Sequence, residues 1–237
     1  MPFIEHDVVP SDLMARYVEK FFTHLHNASL IVHKETFLAD LEAGHVPPML
    51  SLSVAAIASR SLTLYVLLMC RFCNVIPSEE HLPPRQRGKL WAERASVLAL
   101  QFADRPSLVT VQTLINICLY WFGYGEMTRA FVHHGVLIRL LQALGLDHLE
   151  PKSSASANWI NYELRVRVFW GCWLIDSFSS SRTGQTHILV RESITTPLPC
   201  TEDEFASRKR TTKLCRLIDK GGSESVLALL MQAAALW

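Results

Sequence analysis

Apolar residues recur three and four positions apart through most of this sequence, and that spacing places them on one face of an α-helix. The first case is the run of Leu13, Tyr17, Val18, Phe21 and Leu25. No segment alternates apolar and polar residues over a length sufficient for a sheet, and no internal repeat of solenoid length is present. The sequence therefore predicts an all-α fold of several helices.

Glycine and capping residues divide this helical pattern into segments. Gly125 is expected to let the chain reverse, and Gly145 stands where a left-handed C-terminal cap needs a residue without a side chain. Thr201 followed by Glu204 predicts a capping box, and Ser223 is the predicted cap of the last helix. Two predicted inward faces consist of Leu90 or Trp91, Ala95, Leu98 and Phe102, and of Phe131, Leu137, Ile138, Leu141 and Leu144.

The stretch from Met49 to Cys73 is apolar and nearly long enough to cross a bilayer. Arg60 lies near its middle, where a charge is costly in hydrocarbon, and the stretch also contains four serines. Few flanking charges are present to orient a span. We therefore expect a buried core helix here and no membrane segment.

The overall composition is that of a globular domain. The 237 residues are 49% hydrophobic and 19% charged, which allows one substantial core. A formal net charge of +1 provides no general attraction for a phosphate backbone, so this chain alone is expected to bind nucleic acid poorly. The N-terminus lacks a secretory signal, and six scattered cysteines suit a reducing compartment inside the cell.

No group of residues has the spacing of a metal site. Cys70 and Cys73 form a C-x-x-C, but no second pair lies nearby to complete four ligands, so two core thiols are the better interpretation. All ten histidines are interpreted as structural, exposed or capping residues. Neighbouring histidines that point to different sides of a helix cannot easily chelate one ion, which applies to His24 with His26 and to His133 with His134.

No catalytic motif is visible either. A nucleophile elbow, a cysteine-protease signature and a Gly-rich phosphate loop are all missing from the sequence, so we expect no enzyme and no catalytic or cofactor-binding residue. Asp176 is the most notable carboxylate, because it lies among tryptophans inside an aromatic helix. An acid or base in a pocket is one interpretation, and a buried salt bridge to Arg165, Arg167 or Arg182 is the favoured one.

Three blocks of sequence carry a family likeness. The main block runs from Arg165 to Asp176, continues at Gly184 and ends in the Ile-Thr-Thr-Pro-Leu-Pro step from Ile194 to Pro199. A second block runs from Arg129 to Leu146, and a weaker one begins near Tyr17. Together they resemble the middle homology region of fungal zinc-cluster transcription factors, over residues 11–200. The residues that carry the main motif are Arg165, Arg167, Phe169, Trp170, Asp176, Gly184, Pro197 and Pro199.

The resemblance implies a single regulatory domain over residues 1–237 and regulation of transcription in the nucleus. It also implies zinc and DNA binding, but only through an N-terminal six-cysteine cluster that this sequence does not contain, and the usual coiled coil is missing as well. The expected partners are a protein or a small-molecule effector, with a homodimer as a further option. The alternative is a stand-alone helical protein that binds a ligand or partner without binding DNA.

The sequence departs from the family pattern at several points. Ser177 follows Asp176 where the family has an arginine, and Gln185 follows Gly184 where another is usual. Residues 61–71 resemble an insertion, for which a retained intron is one hypothesis. The apolar run to the chain end at Trp237 has no stop signal, so we expect a domain truncated at its C-terminus.

Overall fold

The chain was analysed as a computed structural model, which describes residues 9, 11–25, 28–69, 88–151, 158–183, 187–219 and 223–236. Within these ranges the structure contains α-helices joined by loops and short 3-10 turns, and no strand. The prediction of an all-α fold is therefore confirmed. The helices are α1 (Ser11–His24), α2 (Lys34–Glu42), α3 (Pro48–Met69), α4 (Lys89–Gln101), α5 (Leu108–Tyr124), α6 (Met127–Ala143), α7 (Trp159–Thr183), α8 (Glu202–Ser207) and α9 (Val226–Ala234).

Side chains cap several helix starts and satisfy backbone N–H groups that have no partner within the helix. Ser107 accepts from the Thr110 N–H at the start of α5. The predicted capping box of α8 is confirmed, because Thr201 and Glu204 exchange both bonds. The prediction that Ser223 caps α9 is wrong. Ser225 caps that helix, because its hydroxyl accepts from the Ala228 N–H.

Glycines with positive φ end two of the long helices. Gly125 closes α5 at φ +96°, and Gly145 follows α6 at φ +61°. An L side chain is strained in this left-handed region, which explains why glycine occupies both positions. Both predictions are confirmed.

Helices α3, α5 and α7 form the centre of the fold. Every residue of α5 from Thr110 to Cys118 is buried, so this helix is surrounded by other parts of the protein on all sides. Two of its side chains donate to neighbouring helices: the Asn116 amide donates to Ser53 Oγ in α3 at 3.1 Å. The Trp121 indole N–H likewise donates to Ser96 Oγ in α4 at 3.1 Å. Such bonds offset the cost of burying polar groups.

Two of the predicted inward faces are partly wrong. Of the face predicted around α4, Leu90 and Phe102 are exposed, whereas Ala95 is fully buried, as predicted, and so is Ala99. Phe131 in α6 is also exposed, at 42%. The three-and-four spacing allows more than one face of a helix to qualify, and close packing against α3 and α5 selects the small-residue face of α4.

The described part of the long apolar run is a helix whose side chains from Leu52 to Ser59 are all buried by neighbouring helices. α3 extends through the run to Met69. Among the described residues, no helix combines the length and apolarity needed to cross a membrane. Cys70, Cys73 and the end of the proposed insertion lie outside the described residues, as does the side chain of Arg60.

Candidate functional site

The centre of the candidate site is Arg167, whose side chain projects from α7 and is fully buried. Its guanidinium donates to Glu163 Oε1 one helical turn earlier at 3.3 Å and to Glu202 Oε1 at the start of α8 at 2.7 Å. It also donates to the backbone oxygens of Cys200 at 2.9 Å and Thr201 at 3.2 Å. Arginine therefore joins α7 to the segment leading into α8, because its planar group offers donors in several directions.

The surroundings of Arg167 keep it charged. Burial disfavours the charged guanidinium, but the carboxylates of Glu163 and Glu202 outweigh that cost and raise the pKa of Arg167. The guanidinium carbon also lies 3.9 Å from the ring centroid of Phe205, a cation–π contact. A second cation, Arg210, approaches Glu163 at 3.9 Å. We refer to Glu163, Arg167, Glu202 and Arg210 as the ionic network.

The extended segment of residues 194–201 is held against α7 by further polar contacts. The Trp170 indole N–H donates to the Pro197 carbonyl at 2.6 Å, and the Cys200 N–H donates to Glu163 at 2.8 Å. The Leu198 N–H donates to the Cys215 carbonyl at 2.8 Å. Pro197 and Pro199, which flank Leu198, are buried and have no N–H to satisfy.

Asp176 holds a second loop against the same helix. Its Oδ2 accepts from the N–H groups of Ile188 and Leu189, both at 3.0 Å, and its Oδ1 lies 3.4 Å from His134 Nε2 in α6. Burial favours the neutral carboxyl, but His134 and the two N–H groups outweigh it and lower the pKa of Asp176. The N–H donors lie at the residues after His187, whose ring is 3.9 Å from Oδ2.

The predicted arginine partners of Asp176 are therefore wrong where the structure describes them. Arg165 donates to the Leu144 carbonyl at 3.1 Å, and Arg167 belongs to the ionic network. The side chain of Arg182 lies outside the described residues. His133 and His134 were expected to be exposed or capping, but both are buried, and His134 occupies the place beside Asp176. The hydrogen-bond donors to this buried carboxylate are the two backbone N–H groups, and His134 approaches it from a different helix.

The motif residues named from the sequence fall into two groups in the structure. One group lies at the contact between α7 and the extended segment and consists of Arg167, Trp170, Pro197 and Pro199. Asp176 lies about two turns later in α7 and accepts from the loop at Ile188. Phe169 is buried in the core and stacks edge-on against Trp170 at 5.0 Å. Gly184 and the departures at Gln185 and Thr186 lie outside the described residues.

A cleft of about 520 Å³ lies next to the ionic network. It opens between the region of α1 and α2 on one side and α8 with the start of α9 on the other. Glu202 belongs to both features, because it lines the cleft and accepts from Arg167 and from Ser29 Oγ at 3.1 Å. The lining residues are Phe22, Leu25, Ala28, Ser29, Val32, His33, Lys34, Glu35, Glu202, Asp203, Phe205, Ala206, Val226 and Leu227.

His33 connects the wall of the cleft to α8. Its Nδ1 accepts from the Thr36 N–H at 3.3 Å, so the ring proton lies on Nε2, which donates to the Phe205 carbonyl at 3.2 Å. Burial lowers the pKa of His33, so the ring is neutral near pH 7. The histidine is a structural residue of the cleft.

Sequence reasoning missed Glu163, Glu202 and the whole cleft. One signal was present, because Glu163 and Arg167 are four residues apart and face each other on a helix. The cleft has no local signal, since its walls come from residues 22–35, 202–206 and 226–227. Within the described ranges no set of three histidine, cysteine or carboxylate residues is arranged to hold a metal ion.

A cleft of about 520 Å³ has the size of a small-molecule site, so it is the candidate site for a ligand. The family model described as the fungal-specific transcription factor domain matches residues 18–218, and the chain belongs to this family. The resemblance drawn from the sequence motifs is confirmed.

Similar curated proteins are themselves transcriptional regulators. The zinc-cluster transcription factor FTF1c of Fusarium oxysporum f. sp. lycopersici is 27% identical over 98% of this chain, which corresponds to 26% of that protein. An uncharacterised transcriptional regulatory protein of Schizosaccharomyces pombe is 28% identical over 74% of the chain and 18% of its own length. The activatory protein CHA4 of Saccharomyces cerevisiae is 23% identical over 79% of the chain and 30% of its own length.

The chain thus spans between 18% and 30% of the length of these curated relatives. No solved structure matches it.

Proposed function

We propose that this chain is the helical regulatory part of a longer nuclear zinc-cluster transcription factor, and that it acts by binding an effector in the cleft and not by catalysis. The observation that supports this most directly is the position of Glu202. The same carboxylate lines the cleft and bonds to the buried Arg167. A group that binds beside Glu202 in the cleft therefore contacts a carboxylate at the start of α8 that also accepts from Arg167.

The contacts of Arg167 extend this effect into the core. Arg167 also holds the carbonyl groups of Cys200 and Thr201, and Glu163 holds the Cys200 N–H. A shift of Glu202 changes the balance of charge in a buried site, where the partners of an ion cannot be replaced by water. Binding is therefore expected to change the packing of the extended segment against α7, away from the cleft itself.

DNA contact belongs, in this proposal, to a zinc cluster elsewhere in the longer protein. The net charge of +1 gives this chain little attraction for a phosphate backbone. Zinc would bind in that cluster, and the chain itself would carry no cofactor. The expected partners of the chain are a protein or a small-molecule effector, and a homodimer is a further option.

A fusion experiment tests the proposal. The full chain is joined to an unrelated sequence-specific DNA-binding module in a fungal cell, and a reporter under the matching operator is measured against the module alone. We expect the fusion to change reporter transcription, whereas the purified chain alone leaves the mobility of DNA unchanged in a gel. A fusion whose reporter output equals that of the module alone, in every growth condition tested, contradicts the proposal and favours a stand-alone ligand- or partner-binding protein.

A further inference from the structure

The pairing of charges around the cleft narrows the class of effector. We infer that the cleft binds a small uncharged molecule that is apolar over most of its surface. This inference rests on the proposed function only in taking the cleft as the effector site. It is carried by the apolar walls of the cleft, by the partners of its polar groups and by the balance of charge at its rim.

Aromatic rings and aliphatic side chains form most of the wall. Phe22 contributes from α1, and Phe205 contributes from α8. Contact with such side chains removes apolar surface of a ligand from water, which is the main favourable term in binding an apolar body. The volume of about 520 Å³ lies within the range of small-molecule sites, roughly 300–1,000 Å³. The apolar lining residues are Phe22, Leu25, Ala28, Val32, Phe205, Val226 and Leu227.

Two of the lining carboxylates already have cationic partners within the protein. Glu202 Oε1 accepts from Arg167 at 2.7 Å and from the Ser29 hydroxyl at 3.1 Å. Glu35 lies 3.7 Å from Arg208. A charged ligand group that entered the cleft would give up water and then compete for a carboxylate or a guanidinium that is already engaged. An uncharged ligand leaves both ion pairs as they are.

His33 gives the cleft an aromatic surface without charge. Both of its ring nitrogens are engaged, one with the Thr36 N–H and the other with the Phe205 carbonyl. Burial lowers the pKa of His33, so the ring is neutral near pH 7. The ring also packs edge-on against Phe205, with the centroids 4.6 Å apart. A ligand therefore meets neither a positive charge nor an unpaired nitrogen at this part of the wall.

The charges that remain at the rim cancel. Apart from the two ion pairs, the described charged residues that line the cleft are Lys34 and Asp203, which are both exposed and have opposite signs. The Lys34 ammonium lies 5.7 Å from the ring centroid of Phe22, a cation–π contact within the wall itself. Neither an anion nor a cation finds a net opposite charge here, so electrostatic attraction favours neither class of ion.

Three probes with one body and different charges test the class of ligand. 1-Naphthalenemethanol, 1-naphthalenemethylamine and 1-naphthoate share a bicyclic aromatic body and are neutral, cationic and anionic at pH 7. Their binding to the purified full chain is measured by titration followed by nuclear magnetic resonance, at low ionic strength, where charges are least screened. We expect the alcohol to bind about tenfold more tightly than either ion, because an ion gives up water and gains no net opposite charge.

Two tryptophan variants locate the binding site. Ala206→Trp places a large side chain at an exposed position that lines the cleft, and it should abolish binding of the alcohol. Ala143→Trp, at an exposed position of α6 away from the cleft, is the matched control and should bind the alcohol as the original chain does.

Two further variants test the balance of charge at the rim. Lys34→Gln leaves an excess of negative charge, so the affinity of the amine relative to the alcohol should rise severalfold. Asp203→Asn leaves an excess of positive charge, so the affinity of naphthoate relative to the alcohol should rise severalfold. Each variant is the control for the other, because the two change the rim by one charge of opposite sign.

Several results would overturn the inference. Equal affinity of the three probes, or tighter binding of either ion in the original chain, excludes selection for an uncharged ligand. No binding of any probe excludes a small apolar molecule as the occupant and leaves a protein segment in its place. Unchanged binding in Ala206→Trp places the site elsewhere, and affinity ratios that stay constant in both rim variants refute the argument from charge.

These outcomes are independent of the fusion experiment. An active fusion combined with any of them refutes the ligand class and leaves the regulatory role standing. A silent fusion combined with the expected binding refutes the regulatory role and leaves the ligand class standing.

Discussion

Arg167 has no exposed surface, and its contribution to the stability of the fold depends on its partners. A buried ion pair gains little over an apolar replacement of both partners, because desolvation offsets attraction. Removal of one partner is different, since it leaves the other charge buried without compensation. Arg167 is engaged by Glu163, Glu202 and backbone carbonyls, so it is the member of the ionic network whose loss should be felt most.

The first prediction follows from that asymmetry. Arg167→Met keeps the length of the side chain and removes its charge, which leaves Glu163 buried beside the more distant Arg210. We expect the free energy of unfolding, measured in urea, to fall by about 3–5 kcal/mol. The control Arg139→Met changes an exposed arginine of α6 and should stay within about 0.5 kcal/mol. Equal losses in the two variants would contradict the role assigned to the network.

Glu204 gives the second prediction, which concerns pH. Burial favours its neutral form, but the N–H groups of Thr212, Thr211 and Thr201 bind the carboxylate and lower its pKa to about 2. The folded pKa lies below the usual glutamate value of 4.5, so the stabilisation is complete above pH 4.5 and is lost as pH falls towards 2. The unfolding free energies of the chain and of Glu204→Gln should therefore converge over that window. Parallel pH profiles would refute the assignment.

The sequence predicted the burial of Asp176 but not its partner. Burial followed from its position among the tryptophans of an apolar helix, which is local information. The partner His134 comes from α6, and which side chain of α6 meets α7 depends on the rotation and offset of two packed helices. Those quantities are set by packing over the whole interface and have no counterpart in local spacing.

At the scale of secondary-structure elements, α7 positions the extended segment through side chains on one of its faces. Trp170 and Trp159 offer a matched pair for testing this, because both are buried and both lie on α7. The Trp170 N–H donates to Pro197, whereas the Trp159 N–H makes no hydrogen bond within the described structure.

The third prediction compares these two tryptophans. Trp170→Phe should loosen the extended segment in addition to losing packing volume, and should cost about 1 kcal/mol more than Trp159→Phe. Hydrogen exchange of the Leu198 amide, which donates to Cys215, reports on the segment directly. We expect faster exchange in Trp170→Phe alone. Equal acceleration in both variants would show that the indole hydrogen bond does not hold the segment.

The start of α9 provides the fourth prediction. Ser225 caps the helix and also donates to the Cys200 carbonyl at 3.0 Å, so it connects α9 to the extended segment. Ser225→Ala should reduce stability by about 1–2 kcal/mol. Ser223→Ala removes the hydroxyl that the sequence pattern favoured and should cost less, since among the described residues Ser223 Oγ accepts only from the Ser225 N–H. The reverse order of the two effects would contradict the cap assignment.

The element scale is also where prediction from sequence was most successful. The helix ends at Gly125 and Gly145 and the capping box at Thr201 rest on short-range backbone chemistry, which a local pattern contains. The buried faces of α4 and α6 were harder to predict from the sequence. Leu90, Phe102 and Phe131 fit the apolar spacing, yet they are exposed, because the neighbours of each helix decide which of two possible faces is buried.

At the scale of the whole molecule, the family could be recognised from sequence and the site could not. Residues of the motif from Arg165 to Pro199 form the contact between α7 and the extended segment, and they lie within one continuous stretch of the sequence. The cleft instead combines α1, α2, α8 and α9, which are far apart in sequence. Only the tertiary fold brings Glu202 to the cleft and to Arg167 together.

The most direct test of the account measures transcription from one reporter with three versions of the fusion at equal abundance. They carry the original chain, the cleft variant Ala206→Trp and the control Ala143→Trp. If the cleft controls regulatory output, Ala206→Trp alone changes the reporter level or its response to growth conditions, and Ala143→Trp matches the original chain. Identical output from all three versions would contradict the claim that this domain regulates transcription through its cleft.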